Sequence, residues 1–348
     1  PKDSSFKYQV LSDLALSWLR IGERDNCTIN HGAESCIFPI SGSGVHSNTT
    51  GSDKAIAIYS QLLKHNPNDQ ESKWLLNIAS MTINGYPSKI PASFLIPDLN
   101  KIDTLLIPPF YDAAPQLGLA HTNMAGGSII DDFDNDGYLD IIFSGWSLKD
   151  CLHYFKNNAD GSYSDLSLKT GLSNIKGGLN MIQADYNNDG HLDIFLLRGA
   201  WKGKFGSIPN SLIRNNGDGT FSDVTISSGL LSFHPTQTAV WRDFNNDGWI
   251  DLFIGNESNI NNSDLHPCEL YMSNRNGTFT NIAAKAGVHV IDYVKGVTAG
   301  DFNNDGWSDI FISAMSGKHY LLQNEGSKNE SLQFKDVTQK AGLDSAIG

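Results

Sequence analysis

The chain of 348 residues has no run of 18 consecutive apolar residues, so nothing in it reads as a membrane-spanning helix. Positive charge is in short supply. Its 25 Lys and Arg stand against 38 Asp and Glu, a formal net charge of −13, and no basic cluster is present. That argues against nucleic acid as a partner. The signatures G-x-S-x-G and H-E-x-x-H and a phosphate-cradling glycine loop are all missing, which leaves no familiar nucleophile, zinc-protease or nucleotide site. Cysteine is down to four residues and C-x-x-C-H is absent, so c-type haem attachment is excluded.

What the chain does have is one acidic loop in four copies: DDFDNDGYLD (131–140), ADYNNDGHLD (184–193), RDFNNDGWID (242–251) and GDFNNDGWSD (300–309). Their first acids are 53, 58 and 58 residues apart. Each copy reduces to D-x-[DN]-x-D-G-x-x-D, with side-chain oxygens at positions 1, 3, 5 and 9. A hard cation such as Ca²⁺ takes six to eight oxygens in flexible geometry, and this spacing, with the carbonyl of position 7, supplies them. The expected ligands are Asp132, Asp134, Asp136, Asp140 and the Tyr138 carbonyl; Asp185, Asn187, Asp189, Asp193 and that of His191; Asp243, Asn245, Asp247, Asp251 and that of Trp249; and Asp301, Asn303, Asp305, Asp309 and that of Trp307. About four Ca²⁺ are expected. The ligand positions hold 13 carboxylates, as many as the net negative charge of the chain, so its excess acidity is ligand rather than a tail.

An EF-hand opens with the same residues but needs a Glu at position 12 and flanking helices. Position 12 here is Phe143, Leu196, Ile254 and Ile312, and the residues after each loop are short apolar runs rich in Ile and Phe. The cation is therefore expected in a turn between two strands. Two further signatures repeat with the loops. One is Asp112–Leu119, Asp165–Leu172, Asp223–Leu230, Asn281–Val288 and Asp336–Leu343; the other is an Asn-Gly or Asp-Gly hairpin turn such as NNGDGTFSDVT. Each unit reads as strand, acidic turn, strand, variable loop, strand, hairpin, strand. That is the mark of a β-propeller blade, and stacked β-solenoids have much shorter repeats.

These motifs, across about 112–348, resemble the FG-GAP/VCBS repeats of integrin-α-like and cartilage-acidic-protein-like (ASPIC/UnbV-associated) propellers. The resemblance implies a mainly β fold, Ca²⁺ in the loops, and a secreted, periplasmic or cell-surface location. Asn at position 3 of three loops keeps an oxygen but removes a charge. The fifth blade-opening signature ends at Leu343, and the chain stops at Gly348 before the loop that would follow. The expectation is a propeller of four visible blades and the start of a fifth, part of a seven-bladed ring, completed by a missing C-terminal part or a second chain. Pro1 in place of Met suggests a trimmed chain.

Residues 1–86 differ. Helical spacing of apolar residues predicts helices over about 5–24, 52–66 and 68–83, the last two resembling a tetratricopeptide-like pair. Pro-rich residues 87–111 read as a connector. Between the first two helices stand Cys27, His31, Cys36 and His46. The expected use is a Cys27–Cys36 disulfide, with a transition-metal or active site drawn from Cys27, His31, Cys36 and His46, or free thiols, as the alternatives. Trp146 and Trp201 are candidates for a ligand face, while His121, His153, His234, His266 and His319 read as scattered blade residues. Two functions remain: a secreted calcium-binding propeller for interaction or adhesion with an extracellular protein or glycan, or a calcium-dependent extracytoplasmic enzyme with its site between segment 27–46 and the propeller.

Overall fold

The computed structural model describes residues 2–27, 38–101, 110–259, 264–328 and 331–344. The chain divides into two compact units, 1–112 and 113–348.

The first unit holds three helices, α1 (Lys2–Cys27), α2 (Thr50–His65) and α3 (Gln70–Met81). Asp69 caps α3 by accepting a hydrogen bond from the Ser72 N–H at 3.2 Å. The apolar stripes of the three helices meet in a core of Ala15, Leu19, Tyr59, Leu62, Leu63 and Leu76, closed by Ile90 and Phe94. Each Leu sealed in this way contributes roughly 1.5–3 kcal/mol. α1 and α2 touch backbone to backbone at Gly51, where an added Cβ would lie 2.6 Å from the Trp18 carbonyl oxygen. A tetratricopeptide-type identity for the α2–α3 pair is not established.

The second unit is four antiparallel sheets of four strands, each in simple meander order. The first contains β1 (Ala125–Asp131), β2 (Asp140–Gly145), β3 (His153–Asn157) and β4 (Tyr163–Asp165); the second, β5 (Asn180–Ala184), β6 (Asp193–Leu197), β7 (Ser211–Asn215) and β8 (Phe221–Asp223). The third contains β9 (Thr236–Arg242), β10 (Asp251–Asn256), β11 (Glu269–Ser273) and β12 (Phe279–Asn281); the fourth, β13 (Val294–Gly300), β14 (Asp309–Ala314), β15 (His319–Lys328) and β16 (Ser331–Asp336). The sheets stack face to face in chain order. Ile142 and Tyr154 of the first meet Ile194, Leu196 and Ile213 of the second; Phe195 and Leu212 meet Leu252, Ile254 and Tyr271; Phe253 and Leu270 meet Ile310, Ile312 and Leu322. Alternation along the second strand explains this, since successive residues face opposite sheets. This is the repeat expected from the sequence. Closure into a seven-bladed ring remains an expectation.

Candidate metal centres in the strand turns

All four acidic loops connect the first two strands of a sheet, and a meander places them together at one end of the stack. Position 9 is the first residue of the second strand each time: Asp140, Asp193, Asp251 and Asp309. The backbone turns at two left-handed residues, Asn at position 4 (Asn135, Asn188, Asn246, Asn304; φ 59°, 55°, 56°, 58°) and Gly at position 6. Asn and Gly are the residues that adopt this region at least cost.

The backbone N–H groups bond the acids of positions 1, 5 and 9 in the same way in every copy. The position 1 carboxylate accepts from the N–H groups of positions 5 and 6, for example Asp185 from Asp189 at 3.0 Å and from Gly190 at 2.8 Å. The position 5 carboxylate accepts from the N–H of position 7, at 2.9 Å for Tyr138 and 2.8 Å for Trp249. Position 9 is buried. Its oxygens take the N–H of position 2 and that of a residue on the third strand, as Asp251 does from Phe244 at 3.0 Å and Ser273 at 2.8 Å. Burial raises the carboxyls of Asp140 and Asp309 and pushes Asp193 up to about 8 and Asp251 up to about 7.

In the first loop Asp132, Asp134 and Asp136 bring carboxylate oxygens within 4.8 Å of one another; Asp140 is not in that group. Lys156 on β3 bridges Asp134 and Asp136, and its hydrogen bond is the main reason the Asp136 carboxyl sits below the usual range. Arg275 meets Asp247 at 2.8 Å in the third loop. In loops two to four the Asn at position 3 donates to the Asp at position 5 (Asn187 to Asp189 at 2.7 Å, Asn245 to Asp247 at 3.0 Å, Asn303 to Asp305 at 2.8 Å). Every side-chain donor the loops offer a metal at positions 1, 3, 5 and 9 is oxygen, and in the first and third copies a cationic side chain has been drawn to the acids. The donor set therefore fits a hard divalent cation. The side chains of position 7 cover the hairpins: an added Cβ at Gly217 would touch the His191 ring at 2.5 Å, and one at Gly326 the Trp307 ring at 2.9 Å.

One set of residues escaped the sequence reading. The Asn at position 4 reaches the next loop: Asn135 donates to the Gly190 carbonyl at 3.0 Å, Asn188 to Gly248 at 3.4 Å and Asn246 to Gly306 at 2.9 Å. The signal was the invariance of Asn at a position counted as variable.

The far end of the stack carries the loops between second and third strands. There Lys202 lies over the Trp146 ring at 3.6 Å and Lys295 over Trp201 at 3.2 Å, while Glu257 pairs with Lys295 and accepts from the Trp201 N–H at 2.9 Å. Trp201 is half exposed and left-handed, with φ 63°. The scattered histidines are a correction: His121 and His153 come together, and His234 and His266 approach at 2.8 Å between Nδ1 atoms. Their separation in sequence hid contacts that the stacking of strands creates.

In the helical unit His46 is buried, with Nδ1 3.0 Å from Ser52 Oγ and Nε2 3.8 Å from Cys27 Sγ. His31 and Cys36 lie outside the described residues, and with them the expected Cys27–Cys36 bridge.

Repeated four-stranded sheets with an oxygen-donor turn at one end define a repeat protein of the blade type. A family profile described as FG-GAP-like repeat matches residues 132–196, 201–254 and 243–312, and the chain belongs to that family. Cartilage acidic protein 1 of Xenopus tropicalis is 28% identical over 236 residues, covering 62% of this chain and 35% of the relative. The Mus musculus protein of the same name is 23% identical over 269 residues, covering 71% and 39%. The chain thus spans less than half the length of these relatives. In the crystal structure of BBS1N in complex with ARL6DN, soaked with lead, one chain shares 10% identity over 62% of this chain and 54% of itself at a TM-score of 0.35, too slight a likeness to carry an argument.

Proposed function

We propose that this is a secreted calcium-binding repeat protein whose sheets form an interaction module for an extracellular protein or glycan. The observation that carries the reading is the fourfold turn, with one hydrogen-bond pattern and oxygen donors throughout, and its three converging carboxylates in the first copy. Positions 1, 3, 5 and 9 would hold Ca²⁺ with the position 7 carbonyl. The ion would supply the positive charge that the acids of each turn lack and tie the first strand to the second. Exposed Trp201 with partly buried Trp146 and Lys202 gives the opposite end a surface suited to sugar rings or acidic chains. Sites with the millimolar affinity of extracellular calcium modules would fill at the calcium levels found outside cells, which fits secretion. No helix among the described residues is long and apolar enough to cross a membrane.

Calorimetric titration of calcium-stripped protein tests the proposal. The expected result is about four Ca²⁺ per chain with dissociation constants of roughly 10⁻⁶–10⁻³ M. A chain that takes up no calcium at millimolar concentration overturns it.

A further inference from the structure

The repeat makes it possible to compare one surface position across four sheets. On the third strand, the residue paired across from the third residue after the position 9 acid is His153, Ser211, Glu269 and Tyr320 in turn. The last residue of the fourth strand in the first three sheets is Asp165, Asp223 and Asn281, and Asp336 ends the fourth. Eleven residues before each position 1 acid stand His121, Asn174, Ser232 and Val290.

Contacts elsewhere in the chain show that these three positions converge. In the second sheet the Ser211 hydroxyl donates to Asp223 at 2.9 Å, and in the third the Ser232 hydroxyl donates to Glu269 at 3.2 Å. In the first sheet alone, all three positions carry residues that ligate transition metals. His121, His153 and Asp165 bring one donor atom each within 4.8 Å of the others.

Register explains the placement. His153 pairs with Phe143 and Asp165 with Phe155, so their side chains share one face of the sheet with Phe143 and Phe155. His153 is held against Phe143, ring centroids 4.8 Å apart and nearly parallel, with His121 4.7 Å from it. Ser167 fixes the carboxylate of Asp165 by donating to Oδ1 from its N–H at 2.9 Å and from its hydroxyl. The Nε2 of His153 faces Cys151 Sγ at 3.7 Å, and its Nδ1 is buried without a hydrogen-bond partner among the described residues. A buried imidazole nitrogen left without a partner is costly unless something else occupies its lone pair.

We infer that His121, His153 and Asp165 form a second class of metal site, binding one divalent transition ion of the zinc type with a fourth position open to water or a partner's ligand. Two imidazoles and a carboxylate are a donor set for Zn²⁺ and not for Ca²⁺, which takes oxygen. Tetrahedral zinc needs donors about 3.3 Å apart at bonds of ~2.0–2.1 Å, so a modest closing of the present cluster suffices. Ser167 is the outer partner that orients the carboxylate.

The experiment is titration of the full chain, saturated with Ca²⁺ to fill the turns, with ZnCl2 followed calorimetrically and with CoCl2 followed by visible absorption. One equivalent of zinc and an intense tetrahedral cobalt band are expected. His121→Asn and Asp165→Asn, both at exposed positions, should each weaken zinc about tenfold or more and abolish the cobalt band, with calcium stoichiometry unchanged as the control for folding. His153→Gln should do the same. Absence of zinc uptake by the calcium-saturated protein overturns the inference, as does uptake that survives all three substitutions.

Discussion

The helical unit and the repeat unit each bury an apolar core but handle charge in opposite ways. In the helical unit the buried polar groups carry no acid: Asn77 donates to the Lys73 and Phe94 carbonyls, and Thr82 to Ser52, which also meets His46, while the buried hydroxyls of Tyr59 and Ser72 have no partner among the described residues. In the repeat unit each sheet buries an aspartate at position 9 beside further acids at positions 1 and 5. Like charges gathered in this way oppose ionisation of the buried member. One unit buries no acid among its described residues, and the other crowds acids whose charge it balances only in part, through Lys156 and Arg275.

The largest test of that contrast is calcium removal. A ligand bound to the native state alone stabilises by about 2.7 kcal/mol per site at a hundredfold excess over its dissociation constant, on the order of 11 kcal/mol for four sites. Chelation should lower the melting transition of the sheets sharply and leave the helical transition in place, as followed by calorimetry and circular dichroism on the same sample. If both transitions fell together, or neither moved, the contrast would be wrong.

The reverse perturbation is smaller. Leu62 lies in the helical core at 2% exposure, and Leu62→Ala should cost about 2–5 kcal/mol through the cavity it leaves. That loss should appear in the helical transition at any calcium concentration. A calcium-dependent loss would show that the two units do not differ as described.

Asp251→Ala separates the structural part of an acidic turn from its metal part. Removing the side chain orphans the N–H groups of Phe244 and Ser273, at a cost of about 1–3 kcal/mol each. The repeat unit should therefore be destabilised without calcium as well as with it. An effect seen only with calcium would assign Asp251 wholly to the ion.

The strands, their order and the four turns are legible in the sequence because short apolar runs rich in Ile and Phe and the Asn-Gly and Asp-Gly turns are local signals. The extent of the helices was close for the same reason: α2 was expected over 52–66 and spans Thr50–His65. What stayed hidden depends on stacking. The Asn135-to-Gly190 bond crosses 55 residues, and His121 meets His153 only because β2 and β3 pair beneath them. The burial of His46 was equally invisible, since a Gly/Ser-rich loop gives no periodicity to show which residue turns inward.

The smallest expected effect is the most discriminating. In the first loop Lys156 bridges the acids at positions 3 and 5, whereas the corresponding residue two strands into the second, third and fourth sheets is Arg214, Met272 and Gln323. Arg214 instead bonds Asn216 at 3.2 Å. The first loop carries an acid at position 3 where the other three carry Asn, so its extra negative charge is matched by this lysine. An ion entering the turn must displace the ammonium, and that competition weakens binding. Lys156→Met, which copies the third sheet, should tighten calcium at the first site by about two- to fivefold, the range set by a partly exposed ion pair. The gain should shrink in high salt, where the lysine is already screened. Calorimetric calcium titration of the two proteins side by side follows the change, with the three unaltered loops as the internal reference. Unchanged affinity would mean that the lysine leaves without cost and that the positive charge in this turn is incidental to its chemistry.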